Sequence, residues 1–473
     1  MRRALLVASL LCSAGPVLAD DIPARGYVVV GTGQSRCYDD QGRPGCPGAG
    51  QPFFGQDAQH PGRQAAYRDN GDGTVTDINT GLMWEKGFRR LMWNQAPAEA
   101  AAARTGGHAD WRVPTIRELY SLMNFDGSTG SGRPETTGAP ADARPYLDTS
   151  VFNFEYPAQG RFIDAQYVTS TVYGGITMGR DRSFFGVNFA DGRIKAYPQD
   201  GGPGRRDYYA RFVRGAAYGI NDFVGNGDGT VSDRASGLTW MQADSGAFGP
   251  SLTWTAKRDG RLDWGEALRF CQDLSLAGRR DWRLPNAKEL HSIVDYRRSP
   301  QATGGAAIDP VFAITAIQDE GGRRNWPFFW TSTSHLDGRR PGDFAVYFAF
   351  GEALGYPRQG GRGGMREQGG PDQETGRPDV PPRGMNPGLG MGPPPRPGMG
   401  QPPGFGRPMG APDGSRRPDD PQSIGMPLVL TDVHGAGAQR SSPKSGDESR
   451  LPKGAGPQGD VLRIYNYARC VRG

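Results

Sequence analysis

"DWRVPTIRELYSLM" occupies residues 110–123, and "DWRLPNAKELHSIV" occupies residues 281–294. The two stretches share Asp-Trp-Arg, a proline two residues on, and Glu-Leu at one fixed spacing. A pattern this tight, met twice, marks either a repeated site or a repeated fold. Read as a helix start, it is a matter of fold. Thr115 and Glu118 stand at the spacing of a capping box, in which a side-chain oxygen and a carboxylate satisfy amide donors left free by the first helical turn. Asn286 and Glu289 repeat the arrangement. Pro114 and Pro285 sit just before the cap, where a residue can staple against Leu119 or Leu290. Leu119, Leu122 and Met123 then share one face, as do Leu290, Ile293 and Val294.

Working outward, the repeat grows to the length of a domain. "DNGDGTVTDINTGLMW" (69–84) matches "GNGDGTVSDRASGLTW" (225–240). Each is followed by a helix-like stretch, the Asp-Trp-Arg motif, a Val-Phe pair (Val151-Phe152, Val311-Phe312) and a Thr-Ser-Thr strand at 169–171 or 331–333. The copies close with "YYARFVRG" (208–215) and "NYARCVRG" (466–473). Two domains of one kind are expected, 65–215 and 220–473, behind an N-terminal segment 20–64.

In copy two the first helix places Trp264, Ala267, Leu268, Cys271 and Leu274 at helical spacing, with Asp263 and Glu266 as its cap and Gly278 as its stop. Copy one offers Asn94 as the cap, with Pro97 in the first turn. "YVTSTV", "FWTSTSHL" and "FAVYFAFG" are rich in aromatic and β-branched residues and read as strands. The expected fold class is α+β: two tandem domains, each with two helices and a mainly antiparallel sheet.

A length of 473 residues suits two or three domains, at about 100–200 residues each. The composition is skewed, with 73 Gly and 40 Pro and a mean hydropathy of −0.61. Much of that bias sits at 357–423, a Pro/Gly/Met-rich insertion in the second domain. Such a segment cannot bury enough apolar surface to offset chain entropy, so disorder is expected. Its glycines never settle into the three-residue period of collagen.

The N-terminus, "MRRALLVASLLCSAGPVLADD", has the charged, apolar and small-residue regions of a signal peptide ending at Ala19. Its apolar run is too short to span a bilayer, and no other stretch qualifies. The mature chain is expected to be exported, either periplasmic or secreted to the cell surface. The formal charge of +5 falls by two when Arg2 and Arg3 leave. So small an excess argues neither for nor against an anionic partner, and no nucleic acid is expected.

Cys12 departs with the signal, leaving Cys37, Cys46, Cys271 and Cys470. An even count in an oxidising compartment points to two disulfides. Cys37 and Cys46 bracket a turn-rich loop and pair most simply with each other. Cys271 then pairs with Cys470. Counted from the shared motifs, these two match Ala100 and Phe212, so both are missing together from copy one, as a bridge would require.

Candidates for chemistry are few. Placing "NGDGT" in a calcium loop puts Arg68 or Val224 at its first position and Asn79 or Ala235 at its last. Neither copy has the acidic ligands, so a hairpin turn is the better reading. The five histidines do not align between copies and show no zinc spacing. No metal, cofactor or catalysis is expected. Arg112 with Glu118, and Arg283 with Glu289, could hold a ligand, but an ion pair that orients the capped motif explains them better. Trp84, Trp93, Trp111, Trp240, Trp264 and Trp282 could stack on sugars, yet pairwise repetition inside apolar patterns favours core packing. Arg193, Lys195, Arg205, Arg206, Arg211 and Arg214 are left as a candidate anion-binding face.

Taken together, "GDGTVTDINTGLMWEK", "DWRVPTIRELYSL", "DWRLPNAKELHSIVDY" and "YNYARCVRG" resemble the Lcl C-terminal domain family, named from a collagen-like adhesin and long listed as a domain of unknown function. The resemblance covers both copies, most of residues 65–473. It implies a fold related to C-type lectins and formylglycine-generating enzymes, and an extracytoplasmic binding role toward sulfated glycans or host surfaces. It also implies that a helix cysteine pairs with that of the closing Arg-Cys-Val-Arg, here Cys271 and Cys470. Copy one departs with Ala100 and Phe212, and no collagen repeat is present. The expected function is non-catalytic binding of glycans or surface components. Two alternatives stand beside it: an envelope assembly protein acting through protein contacts, and, least favoured, an enzyme of the formylglycine-generating type. Partner identity and oligomeric state are not legible.

Overall fold

In the computed structural model, which describes residues 26–132, 136–202, 207–338, 340–357 and 429–473, the closing motif of each copy returns to its opening hairpin. Copy one aligns Tyr67–Asp69, Thr74–Asp77 and Met83–Glu85 antiparallel, with Val213–Arg214 completing a four-stranded sheet. Phe223–Gly225, Thr230–Asp233, Thr239–Met241 and Val471–Arg472 do the same in copy two. "NGDGT" is the turn of each hairpin. Asp72 Oδ1 accepts from the amide and the hydroxyl of Thr74 at 3.0 and 2.6 Å, and Asp228 repeats this with Thr230 at 3.1 and 2.6 Å. Gly73 and Gly229 both take a φ of +86°, a conformation that costs glycine least.

Four helices follow the repeat: α1 Ala96–Ala102, α2 Ile116–Ser121, α3 Trp264–Asp273 and α4 Ala287–Ser292. The capping boxes of α2, α3 and α4 form as the spacing predicts. Asn94 does not cap α1. Trp93–Gln95 make a 3-10 turn closed by the Gln95 side chain on the Met92 amide at 2.9 Å, so the helix begins later, still with Pro97 in its first turn. Gly278 does not stop α3, which ends at Asp273; it lies beyond, in a turn closed between Leu276 and Arg279.

The largest sheet belongs to both copies. Its order is Phe328–His335, Phe344–Ala349, Gln439–Pro443, Arg193–Pro198, Asp181–Asn188, Gln166–Tyr167, Tyr208–Ala210, Arg89–Leu91, with Val172–Thr177 pairing alongside Asp181–Asn188. Copy two supplies the first three strands and copy one the rest. They meet where Gln439 pairs antiparallel with Ile194. The hydroxyls of Thr169 and Thr331 donate to the carbonyls of Phe185 and Val346, which makes those residues equivalent. The registers Phe185↔Ala196 and Val346↔Ser441 then make Ile194 and Gln439 equivalent too. The copies therefore join like to like, about a local two-fold relation.

Residues 26–66 tie the two together. Thr32 accepts from the Phe125 amide at 2.8 Å in copy one, while the Gln34 side chain brackets the Ser334 amide and carbonyl at 2.9 and 2.8 Å in copy two. Asp57 accepts from the hydroxyls of Thr32 and Thr333. One apolar core runs through both copies, including Leu119, Phe185, Leu290 and Phe348, and smaller clusters surround α1 and α3. All described residues fall in one unit, Met1–Arg358 with Leu428–Gly473. The fold is mixed α+β and mostly antiparallel. Among the described residues no helix is long and apolar enough to cross a membrane. Residues 1–19, read as a signal peptide, and, apart from Pro357, the 357–423 stretch read as a disordered insertion lie outside the described residues.

Candidate functional site

The shared polar positions of the two motifs, Asp, Trp, Arg and Glu, each have an internal partner. Asp110 and Asp281 take the last arginine of the closing motif, Arg214 at 2.6 Å and Arg472 at 2.9 Å. The indoles of Trp111 and Trp282 donate to the carbonyls of Thr105 and Leu276, at 3.2 and 3.3 Å. Arg112 donates through both terminal nitrogens to Glu118, at 2.7 and 2.6 Å, and Arg283 does so to Glu289 at 2.6 Å for each. Each glutamate also caps its helix, on the amide of Thr115 or Asn286. The carbonyls of Pro114 and Pro285 accept from Ser170 and Ser332 at 2.8 Å.

Of the six cations read as an anion-binding face, the four among the described residues are buried or held by internal partners. Arg193 is largely buried between Asp191, at 3.2 Å, and Asp337. Lys195 is buried on the same strand, and burial, with Arg440 beside it, brings its pKa down to about 7. Arg211 is fully buried; it donates to the carbonyls of Glu85, Lys86 and Asn153 and lies 4.9 Å from the Phe152 ring. Arg469 repeats that role on Met241, Gln242, Ala243 and Ala313, over Phe312. Arg214 holds Asp110. Arg205 and Arg206 lie outside the described residues. The physical reason is strand position: the sheet shared by the two copies buries residues that a single domain would expose.

Two disulfides are present, Cys37–Cys46 and Cys271–Cys470. The second joins α3 to the closing motif. In copy one Ala100 and Phe212 are buried in its place. The six repeated tryptophans sit in or against the apolar clusters. Among the described residues no group of three or more His, Cys, Asp or Glu side chains is placed to hold a metal.

An open groove of about 610 Å³ lies in copy two. Phe328, Tyr356, Tyr465 and Tyr467 are its aromatic lining residues, and Asn466 is among the others. The walls come from two stretches that copy one lacks at this length. Copy one passes directly from Trp84 to Trp93, whereas copy two takes a longer path from Trp240 to Trp264; a second excursion follows Pro443. Ion pairs fix the walls: Arg261 with Asp259 at 2.7 Å, Arg463 with Glu320 at 2.7 Å, and Lys257 with Glu448 at 2.9 Å. The rings are fixed by cations, Arg463 over Phe328 at 4.0 Å, Lys257 over Tyr465 at 4.8 Å and Lys453 over Tyr356 at 5.0 Å. Burial raises the pKa of Tyr467 to about 12 and also raises those of Tyr356 and Tyr465, so all three stay protonated at neutral pH.

Asn466 is the residue that separates the copies here. Its backbone pairs with Leu262, as that of Tyr208 pairs with Leu91 in copy one. Tyr208 donates its hydroxyl to the Pro198 carbonyl at 2.7 Å and packs its ring against Phe184. Asn466 donates its amide to the Arg463 carbonyl at 3.1 Å, and its buried Oδ1 accepts from no group. None of the groove residues was singled out from the sequence. The available signal was the Tyr-to-Asn change at the head of a closing motif that otherwise differs only at Phe212 and Cys470.

Comparison with known sequences identifies the repeat. The sequence model of the Lcl C-terminal domain matches twice in tandem, at 73–214 and 229–364. No curated protein and no solved structure matches the chain. With more than half of its length matched, and the same capped, arginine-closed fold built twice, the chain belongs to the Lcl C-terminal domain family.

Proposed function

We propose that this is an exported, non-catalytic binding protein with tandem C-type-lectin-like domains, which recognises glycans or surface components through the groove of copy two. The groove carries the reading. It is concave, lined by aromatic rings and held polar groups, and its walls come from stretches that copy one lacks at this length. Sugars bind by laying an apolar ring face on an aromatic side chain while their hydroxyls meet fixed polar atoms. Export is supported by the two disulfides, which persist in oxidising compartments. A formylglycine-type reaction needs free thiols, and Cys271 and Cys470 are joined to each other.

The test is binding of the mature chain, 20–473, to a broad glycan array, beside Tyr356→Ala and Tyr465→Ala variants. Saturable binding that both substitutions weaken is the expected result. Failure to bind any glycan overturns the reading and favours an envelope protein that acts through protein contacts.

A further inference from the structure

We infer that copy one carries an open docking surface for an extended segment of another protein, one bearing an aromatic side chain and a carboxylate. Copy two shows the covered form of that surface. There the segment 26–66 lies over it: Phe53 stacks on Trp264 with centroids 5.9 Å apart, Asp57 accepts from the Thr333 hydroxyl at 2.5 Å, and Gln34 brackets the Ser334 amide and carbonyl. Trp264, Thr333 and Ser334 are each 0% exposed, and Ser332 is 2% exposed. Shared bonds fix the counterparts. The indole of Trp93 donates to Thr169 as that of Trp264 does to Thr331, and the hydroxyl of Thr171 accepts from the Ile116 amide as that of Thr333 does from Ala287. Among the described residues nothing covers the copy-one surface in this way. Trp93 and Thr171 are half-buried, Ser170 is exposed and Val172 is 45% exposed.

The chemistry of the surface selects its occupant. Trp93 stacks on Phe184 at 5.7 Å, and among the described residues no second ring or cation meets it, so an aromatic side chain can cover it as Phe53 covers Trp264. Thr171 has the hydroxyl that its counterpart donates to a carboxylate. Arg182, two residues before Phe184 on the same face of its strand, is exposed and makes no ion pair among the described residues. Val172 pairs with Phe184 as Ser334 pairs with Ala345, which turns its amide and carbonyl outward, as those of Ser334 are turned to Gln34. An outward strand edge of this kind accepts an added extended segment. The same edge already takes a side chain from copy two: Gln301 accepts from the Ile176 amide at 2.7 Å and donates to its carbonyl at 3.3 Å. The 26–66 segment of a second copy does not fit. Gly265, where a Cβ would stand 3.0 Å from the Phe53 ring, is replaced by Asn94, and Lys444, which holds the Tyr38 and Asp39 carbonyls, is replaced by Gln199.

The experiment is selection from a phage-displayed library of random dodecapeptides, first depleted on the mature chain carrying both Val172→Arg and Arg182→Ala, then panned on the wild type. Both side chains are exposed, so the variants should keep the wild-type melting point. Enriched peptides should carry an aromatic residue and a carboxylate. As synthetic peptides they should bind saturably, and each single substitution should weaken them about tenfold, the loss of one well-placed contact. No enrichment after depletion overturns the inference, as does enrichment of peptides that lack either group. A wild-type dimer in sedimentation that Val172→Arg dissociates would give the surface to a second copy, and overturns it too.

Discussion

Tyr120 and His291 occupy equivalent positions on α2 and α4, and their rings pack against each other with centroids 4.4 Å apart. A residue meets its own counterpart here, as Ile194 meets Gln439 in the shared sheet. The two copies are thus joined as a like-to-like pair inside one chain, with duplicated surfaces turned into core. The buried Tyr120 hydroxyl has no partner. Tyr120→Phe should therefore leave stability unchanged or raise it by up to about 1 kcal/mol. A double-mutant cycle of Tyr120→Ala with His291→Ala should show coupling of about 0.5 kcal/mol or more. Additive losses in urea denaturation would mean that the contact does not join the copies.

The two motif ion pairs differ in exposure. The Arg283 side chain is 14% exposed and that of Arg112 is 37%. Removing a carboxylate strands the better-buried guanidinium at greater cost. Glu289→Ala should lose about 3 kcal/mol, and Glu118→Ala about 2 kcal/mol, chiefly the cap and a half-screened pair. Chemical denaturation of the two variants measures the order, and the reverse order would refute the burial argument.

Cys271 and Cys470 lie 199 residues apart in sequence. A bridge closing so long a loop restricts the unfolded chain strongly. Replacing both by Ala should cost about 5 kcal/mol on the chain-entropy account. The variant should melt lower than the oxidised protein and should lose most of its sensitivity to reductant. An unchanged melting point would show that packing alone holds copy two, as it does copy one.

His335 Nε2 donates to the Asp191 carbonyl and Nδ1 accepts from Ser441, each at 2.9 Å, so the neutral ring fits its site. Burial brings its pKa from 6.5 to about 3, with Arg193 also lowering it and Asp337 opposing. The unfolded chain takes up this proton first. Stability from His335 is therefore present above about pH 6.5 and is lost as pH falls toward its folded value. Between about pH 7 and pH 5 the wild type should lose about 2 kcal/mol more than His335→Gln. Comparison with the variant is needed because Asp57, raised to about 6 chiefly by burial, contributes in the opposite sense. Equal pH slopes in urea titrations of the two proteins would rule the effect out.

The sequence by itself determined the duplicated unit and its local parts. The capping boxes at Thr115 and Asn286, the hairpin turns at Asp72 and Asp228, and the apolar faces of α2 and α4 depend on residues a few positions apart, so spacing is enough to read them. The pairing of Cys271 with Cys470 was legible because both are missing together from copy one. Tertiary structure alone decided how the copies meet. Arg193 and Lys195 look like surface cations along the chain, and they become interior because Arg193–Pro198 pairs with Gln439–Pro443 from the other copy. Arg211 is buried for a related reason, since the carbonyls that hold it come from residues far away in sequence. The groove was hidden for the same cause: Phe328, Tyr356 and Asn466 are brought together by long-range strand pairing and the copy-two excursions, and no local pattern records that meeting.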